Sequence, residues 1–96
     1  MAAIRVGFGC LSRPAQQALV AVALLGERVT SRRIGAATGL SGEALHAALD
    51  ELEWRRWLVA EARGYAFVAR IVRDVVARDM VTEGERLRIL ETVQAT

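Results

Sequence analysis

Apolar residues recur at helical spacing through most of this chain, and the period shortens to two only once. Ala15, Leu19, Val22 and Ala23 mark a first stripe, with Ser12 ahead of it as a cap, Pro14 tolerated in the opening turn and Gly26 as a stop. Glu27-Arg28-Val29 reads as a short link with one strand residue at Val29. Thr30 caps a short helix that ends at Gly39, a residue suited to a left-handed terminus. Leu40 leads to Ser41, which caps a third helix with Glu43 in its favourable first turn. Leu45, Ala48, Leu49 and Leu52 are that helix's buried stripe, and Arg55 and Arg56 suit its C-terminus.

The alternating stretch lies between Trp57 and Val68. Trp57-Leu58-Val59-Ala60-Glu61 and Tyr65-Ala66-Phe67-Val68 are two strand-like runs around Arg63-Gly64. A two-residue turn at Arg63-Gly64 sets Ala60 opposite Phe67 and Ala62 opposite Tyr65. Leu58, Ala60, Tyr65 and Phe67 then share the face expected to be largely buried. Beyond it, Ile71, Val72, Val75 and Val76 form a helical stripe with Arg70, Arg73, Asp74 and Arg78 opposite. Thr82 and Glu85 have the spacing of a capping box, followed by Leu87, Leu90 and Val93. This order predicts a mainly α fold with a small β-hairpin: a winged helix–turn–helix over residues 12–81 and a C-terminal helix over 82–96. Residues 1–11, with Gly7 and Gly9, are too glycine-sparse for a nucleotide loop and predict a flexible or loosely docked arm.

Composition narrows the function classes. The 96 residues suffice for one modest core, and 53% hydrophobic with 25% charged is globular. All thirteen basic residues are arginine, and the net charge is only +2. The sequence pI of about 9.5 is therefore a weak nucleic-acid signal, and the placement of the charges decides. A single cysteine, Cys10, excludes an internal disulfide and a cysteine-rich zinc site. The longest apolar run, Ala18 to Leu25, is too short to cross a bilayer. These features predict a cytoplasmic protein with no membrane partner.

The segment from Ser31 to Trp54 meets the demands of a tight helix–turn–helix. A small residue is needed where the helices meet, which Gly35 or Ala36 supplies. Gly39 can take the positive φ of the turn, and Leu40, Leu45 and Ala48 point back into the core. A DNA-reading helix carries arginine, lysine, asparagine or glutamine on its exposed N-terminal half. Here the exposed positions are Gly42, Glu43, His46, Ala47, Asp50 and Glu51, an acidic surface that repels phosphates. Direct DNA binding by helix 42–55 and the wing is the alternative function. Its contacts would come from Arg32, Arg33, Ser41, His46 and Arg63.

No catalytic arrangement is evident, so no enzymatic activity is expected. His46 and Asp50 lie one helical turn apart, but nothing in the sequence supplies a nucleophile with a base and an oxyanion site. One histidine without paired cysteines argues against a structural metal site, and no cofactor is expected. Trp54, Arg55, Arg56 and Trp57 form the expected partner interface, since tryptophan and arginine are favoured interface anchors. One of the two rings is expected to cap the core edge instead.

From about Ala15 to Leu90 the chain resembles the winged-helix segment of STAND-type signalling ATPases. These include ATP-dependent LuxR-type and adenylate-cyclase-associated bacterial regulators. The motifs that carry the resemblance are Ala18 to Gly26, Leu40 to Leu52, Tyr65-Ala66-Phe67, Ile71 to Val76 and Glu85 to Leu90. The family pattern, Tyr-x-Phe-x-His and later Arg-x-x-Leu-His, meets Ala69 and Leu90 at its two histidine positions. There is no phosphate-binding glycine loop, and lysine is absent, so the chain is not itself the ATPase. The resemblance implies a regulatory and protein-interaction module of signal transduction and transcription regulation. Its partner would be the nucleotide-binding core or the helical repeats of a parent regulator.

Overall fold

A computed structural model of the protein describes residues 2–95, with side-chain surroundings from residue 3 to residue 92. The order is α1 (Ala2–Gly9), α2 (Arg13–Leu25), α3 (Ser31–Thr38), α4 (Gly42–Trp54), β1 (Leu58–Glu61), β2 (Gly64–Phe67), α5 (Arg70–Asp79) and α6 (Glu83–Ala95). The fold is mainly helical with one small two-stranded antiparallel hairpin.

Helix α2 is the centre of the molecule. It packs against α3, α4, α5, α6 and β2, so Ala15, Ala18, Leu19, Val20, Ala21 and Val22 are all buried. Alanine at several of these positions lets neighbouring backbones approach from more than one side. Ile34, Leu49, Leu52, Val29, Val75 and Val76 close around it, and no polar side chain is buried among the described residues. The start of α2 is capped by Ser12, whose Oγ accepts from the Ala15 N–H at 3.3 Å. The Thr30 hydroxyl accepts from the Arg33 N–H at 3.2 Å to open α3. Ser41 occupies the cap position of α4, but its hydroxyl makes no capping bond.

The hairpin differs from the expected register by two residues. Leu58 pairs with Phe67, Ala60 with Tyr65 and Glu61 with Gly64, so the turn is Ala62-Arg63. A slip of two leaves every side chain on the same face, because strand side chains alternate with period two. Leu58 is buried on that face, Tyr65 and Phe67 are half-buried, and Ala60 is exposed. The reason lies at Gly64, which serves packing rather than the turn. A Cβ there would lie 2.6 Å from the carbonyl carbon and oxygen of Val29. Val29 crosses at this point as a one-residue strand: its N–H donates to Tyr65 O at 2.9 Å and its carbonyl accepts from Tyr65 N at 2.7 Å.

The two ends of the chain also depart from expectation. The segment read as an arm contains a helix, α1, that docks on the body. Leu11 is buried, Phe8 packs against the core, and Gln16 Nε2 donates to Phe8 O at 2.8 Å. In α5 the buried stripe runs through Val72, Val75 and Val76, leaving Ile71 60% exposed at its edge. Helix α6 starts with the expected capping box, Thr82 N–H to Glu85 Oε1 and Glu85 N–H to Thr82 Oγ1, both 3.1 Å. Its inward face, however, is Glu85, Arg86 and Ile89, while Leu87 and Leu90 are exposed. Arg86 lies on this inward side, where its Nη2 donates to Ala77 O at the end of α5 (2.7 Å), and Ile89 packs against the core. The side chain of Val93 lies outside the described surroundings.

Candidate interaction surfaces

Helices α3 and α4 meet at a turn built on two glycines. Gly35 is the small residue at the contact, since a Cβ there would lie 3.0 Å from Leu40 O and 3.3 Å from Leu45 Cδ2; Ala36 is exposed. Gly39 sits at φ 79, ψ 1 and donates to Gly35 O at 2.8 Å, a left-handed helix terminus. Leu45, Ala48, Leu49 and Leu52 of α4 face the core, as their spacing predicts.

The outward face of α4 carries Glu43, His46, Ala47, Asp50 and Glu53. Glu51 does not belong to it: its Oε2 accepts the Ser12 N–H at 2.8 Å and its Oε1 accepts the Ser12 hydroxyl at 2.6 Å. These bonds hold the Glu51 carboxyl below the usual carboxylate range. Tyr65 of the hairpin stands near the acidic side of α4. Burial pushes its phenol above the usual range, and the charges of Glu53 and Asp50 add to the rise. The residues expected to contact DNA are exposed but separate in the chain: Arg32 and Arg33 on α3, Ser41 and His46 at α4, Arg63 in the hairpin turn. None of those three arginines forms an ion pair among the described residues.

The tryptophan–arginine quartet is divided between two depressions. Trp54 is 86% exposed and shares a shallow one with Asp50, Glu53 and Arg56. Trp57 is half-buried and packs against the core and α1, where a Cβ on Gly7 would lie 3.1 Å from its Cζ2. Between these rings α4 ends in a Schellman motif. The Arg56 N–H donates to Glu53 O at 3.1 Å, and the Trp57 N–H to Leu52 O at 2.9 Å. Arg56 occupies its left-handed position at φ 62, where glycine is the usual residue.

A second depression, of about 400 Å³, opens on the other side of Arg56. It is lined by Ile4 and Gly7 of α1, Arg55, Arg56 and Trp57 of the turn, and Val68, Ala69 and Val72 at the start of α5. Only the quartet members were visible from local sequence. The α1 and α5 contributions depend on how distant segments dock, and Gly7 beside an aromatic ring was the available hint.

A wider groove of about 830 Å³ runs between α2, α3 and α6, with Arg13, Gln17, Thr38 and Arg88 among its lining residues. Cys10 is exposed at the end of α1 and His46 is exposed on α4. No hydrogen bond joins His46 to Asp50 or to Cys10 among the described residues. Nor do three or more histidine, cysteine or carboxylate side chains gather there as a candidate metal site. Among the described residues, no helix is long and apolar enough to cross a membrane.

Comparison with protein-family models, with characterised proteins and with solved structures gives no match.

Proposed function

We propose that the chain is a winged-helix regulatory module that acts through protein–protein contacts in the cytoplasm, as part of a bacterial STAND-type ATPase or a transcriptional regulator. The single observation that carries this reading is the exposed face of α4. The second helix of the α3–α4 pair has no arginine, lysine, asparagine or glutamine; it presents Glu43 in the N-terminal half, where a groove-reading helix needs donors, and Asp50 and Glu53 further along. Phosphate attraction supplies most non-specific affinity for DNA, and these carboxylates oppose it. The hairpin after α4 and the bridge from Val29 to Tyr65 support the winged-helix assignment. In this reading the module packs against a nucleotide-binding core or helical repeats and passes on their state without chemistry of its own.

Arg32, Arg33 and Arg63, exposed and without ion pairs among the described residues, favour the second reading, direct DNA binding. Fluorescence anisotropy with labelled duplexes at physiological salt separates the two. The module reading expects weak binding that does not depend on sequence. Sequence-selective binding at nanomolar concentration would overturn it and establish the DNA reading.

A further inference from the structure

The 400 Å³ groove beside the end of α4 has a chemistry that defines its occupant. Its apolar part is the half-buried ring of Trp57 together with Ile4, Val72 and Val68, the last 58% exposed. Its polar part is Arg55 and Arg56, and no carboxylate lines it. Every arginine of α1 and α5 is paired, Arg5 and Arg78 with Asp79, Arg70 with Glu27 and Arg73 with Asp74. Arg55 and Arg56 have no ion-pair partner among the described residues. They are not spent on closing the helix either. The Glu51, Leu52 and Glu53 carbonyls at its end already accept the backbone N–H groups of Arg55, Trp57 and Arg56.

Arg56 adds an independent indication. A left-handed C-terminal position suits glycine and strains any residue with a Cβ. Backbone structure alone would therefore be better served by glycine at this point. What arginine adds is its side chain, which lines both the groove and the neighbouring Trp54 depression.

We propose that this groove binds an acidic amphipathic segment of a partner protein. Its apolar side chains lie over Trp57 and Val68, and its carboxylates engage the Arg55 and Arg56 guanidinium groups. Arginine is the cation suited to this, since its planar fork matches a carboxylate at two points. The inference rests on the protein-interaction reading and supplies the chemistry of the partner.

The test uses the full chain and a fluorescein-labelled amphipathic peptide of leucine and glutamate, with a counterpart carrying lysine for glutamate. The glutamate peptide is expected to bind at least about tenfold more tightly than the lysine peptide. Arg56→Gly preserves the left-handed helix end, and Val68→Asp alters a residue that is already exposed. Each should weaken glutamate-peptide binding by about fivefold or more while the thermal unfolding midpoint holds or rises. Equal binding of the two peptides, or wild-type binding by both variants, would overturn the proposal. Binding to phosphatidylserine vesicles that is lost in Arg56→Gly, without peptide binding, would overturn it in favour of an anionic membrane surface. A negative peptide result beside weak, unselective DNA binding removes this proposal alone. Sequence-selective DNA binding removes the interaction reading on which it rests.

Discussion

The Glu51 carboxylate, in the last turn of α4, grips the N-cap residue of α2: both of its oxygens accept from Ser12, one from the backbone N–H and one from the hydroxyl. Ser12 is thereby a double cap, accepting from Ala15 while donating to Glu51. Two residues 39 positions apart in sequence thus join α2 and α4 at a point neither could close alone.

That contact makes part of the stability dependent on pH. The folded Glu51 carboxyl titrates below its unfolded counterpart, because the ionised form accepts the two Ser12 bonds. Its contribution is complete above the unfolded-chain pKa and is lost as pH falls through the folded one. In this partly solvated position the contribution is about 0.5–1 kcal/mol. Urea denaturation of wild type and Glu51→Gln should differ by that amount near neutral pH and converge in acid. A constant difference across the range would contradict it.

The two tryptophans should respond oppositely to truncation. Trp57→Ala removes a ring packed on the core and on Gly7, and should cost about 2–4 kcal/mol. Trp54 is 86% exposed, so Trp54→Ala should stay within about 0.5 kcal/mol of wild type. Chemical denaturation of the two variants side by side decides this, and similar losses would place Trp54 in the core.

Gly64 should tolerate no side chain. It sits at φ 132, and an added Cβ would strike the Val29 backbone, which is itself bonded to Tyr65. Gly64→Ala should therefore destabilise by more than about 2 kcal/mol, combining backbone strain with overpacking. Arg63→Ala, one residue earlier and exposed in the turn, is the control that should change little.

Phe67→Ala tests how far the hairpin seals the core. The ring is half-buried and faces inward opposite Leu58, so the expected loss is about 2 kcal/mol rather than that of a fully enclosed phenylalanine. A loss below about 0.5 kcal/mol in urea denaturation would mean that the hairpin's inner face does not pack on the helices.

Features closed by short-range bonds were legible in the sequence. The Thr30 cap, the Gly39 terminus and the Thr82–Glu85 box each need residues only a few positions apart, and all three are present. The core stripe of α4 was legible for the same reason. Features set by distant contacts were not. Helix α1 has two glycines in its last three residues, and its docking involves Trp57 and the Gln16 bond to Phe8. Helix α6 turns inward the side that carries Ile89 and the Arg86 bond to Ala77, so the Leu87–Leu90 stripe faces outward. The hairpin's faces were readable but its pairing was not, since alternation is blind to a slip of two. Half of the groove beside Trp57 was hidden for the same reason as α1.

The Val29–Tyr65 bridge also bears on solubility. A two-stranded hairpin has two open edges, each a template for adding a strand from another chain. Val29 occupies the outer side of β2 at Tyr65, and Gly64 lies too close beneath it for any bulkier residue. Strand addition at Tyr65 is thereby blocked, and the opposite edge belongs to β1, a strand of only four residues. Its last residue, Glu61, is held by Arg28 at 2.7 Å, the same link that carries Val29 to the hairpin. One short segment between two helices therefore occupies one edge at Tyr65 and places a charge pair at the end of the other.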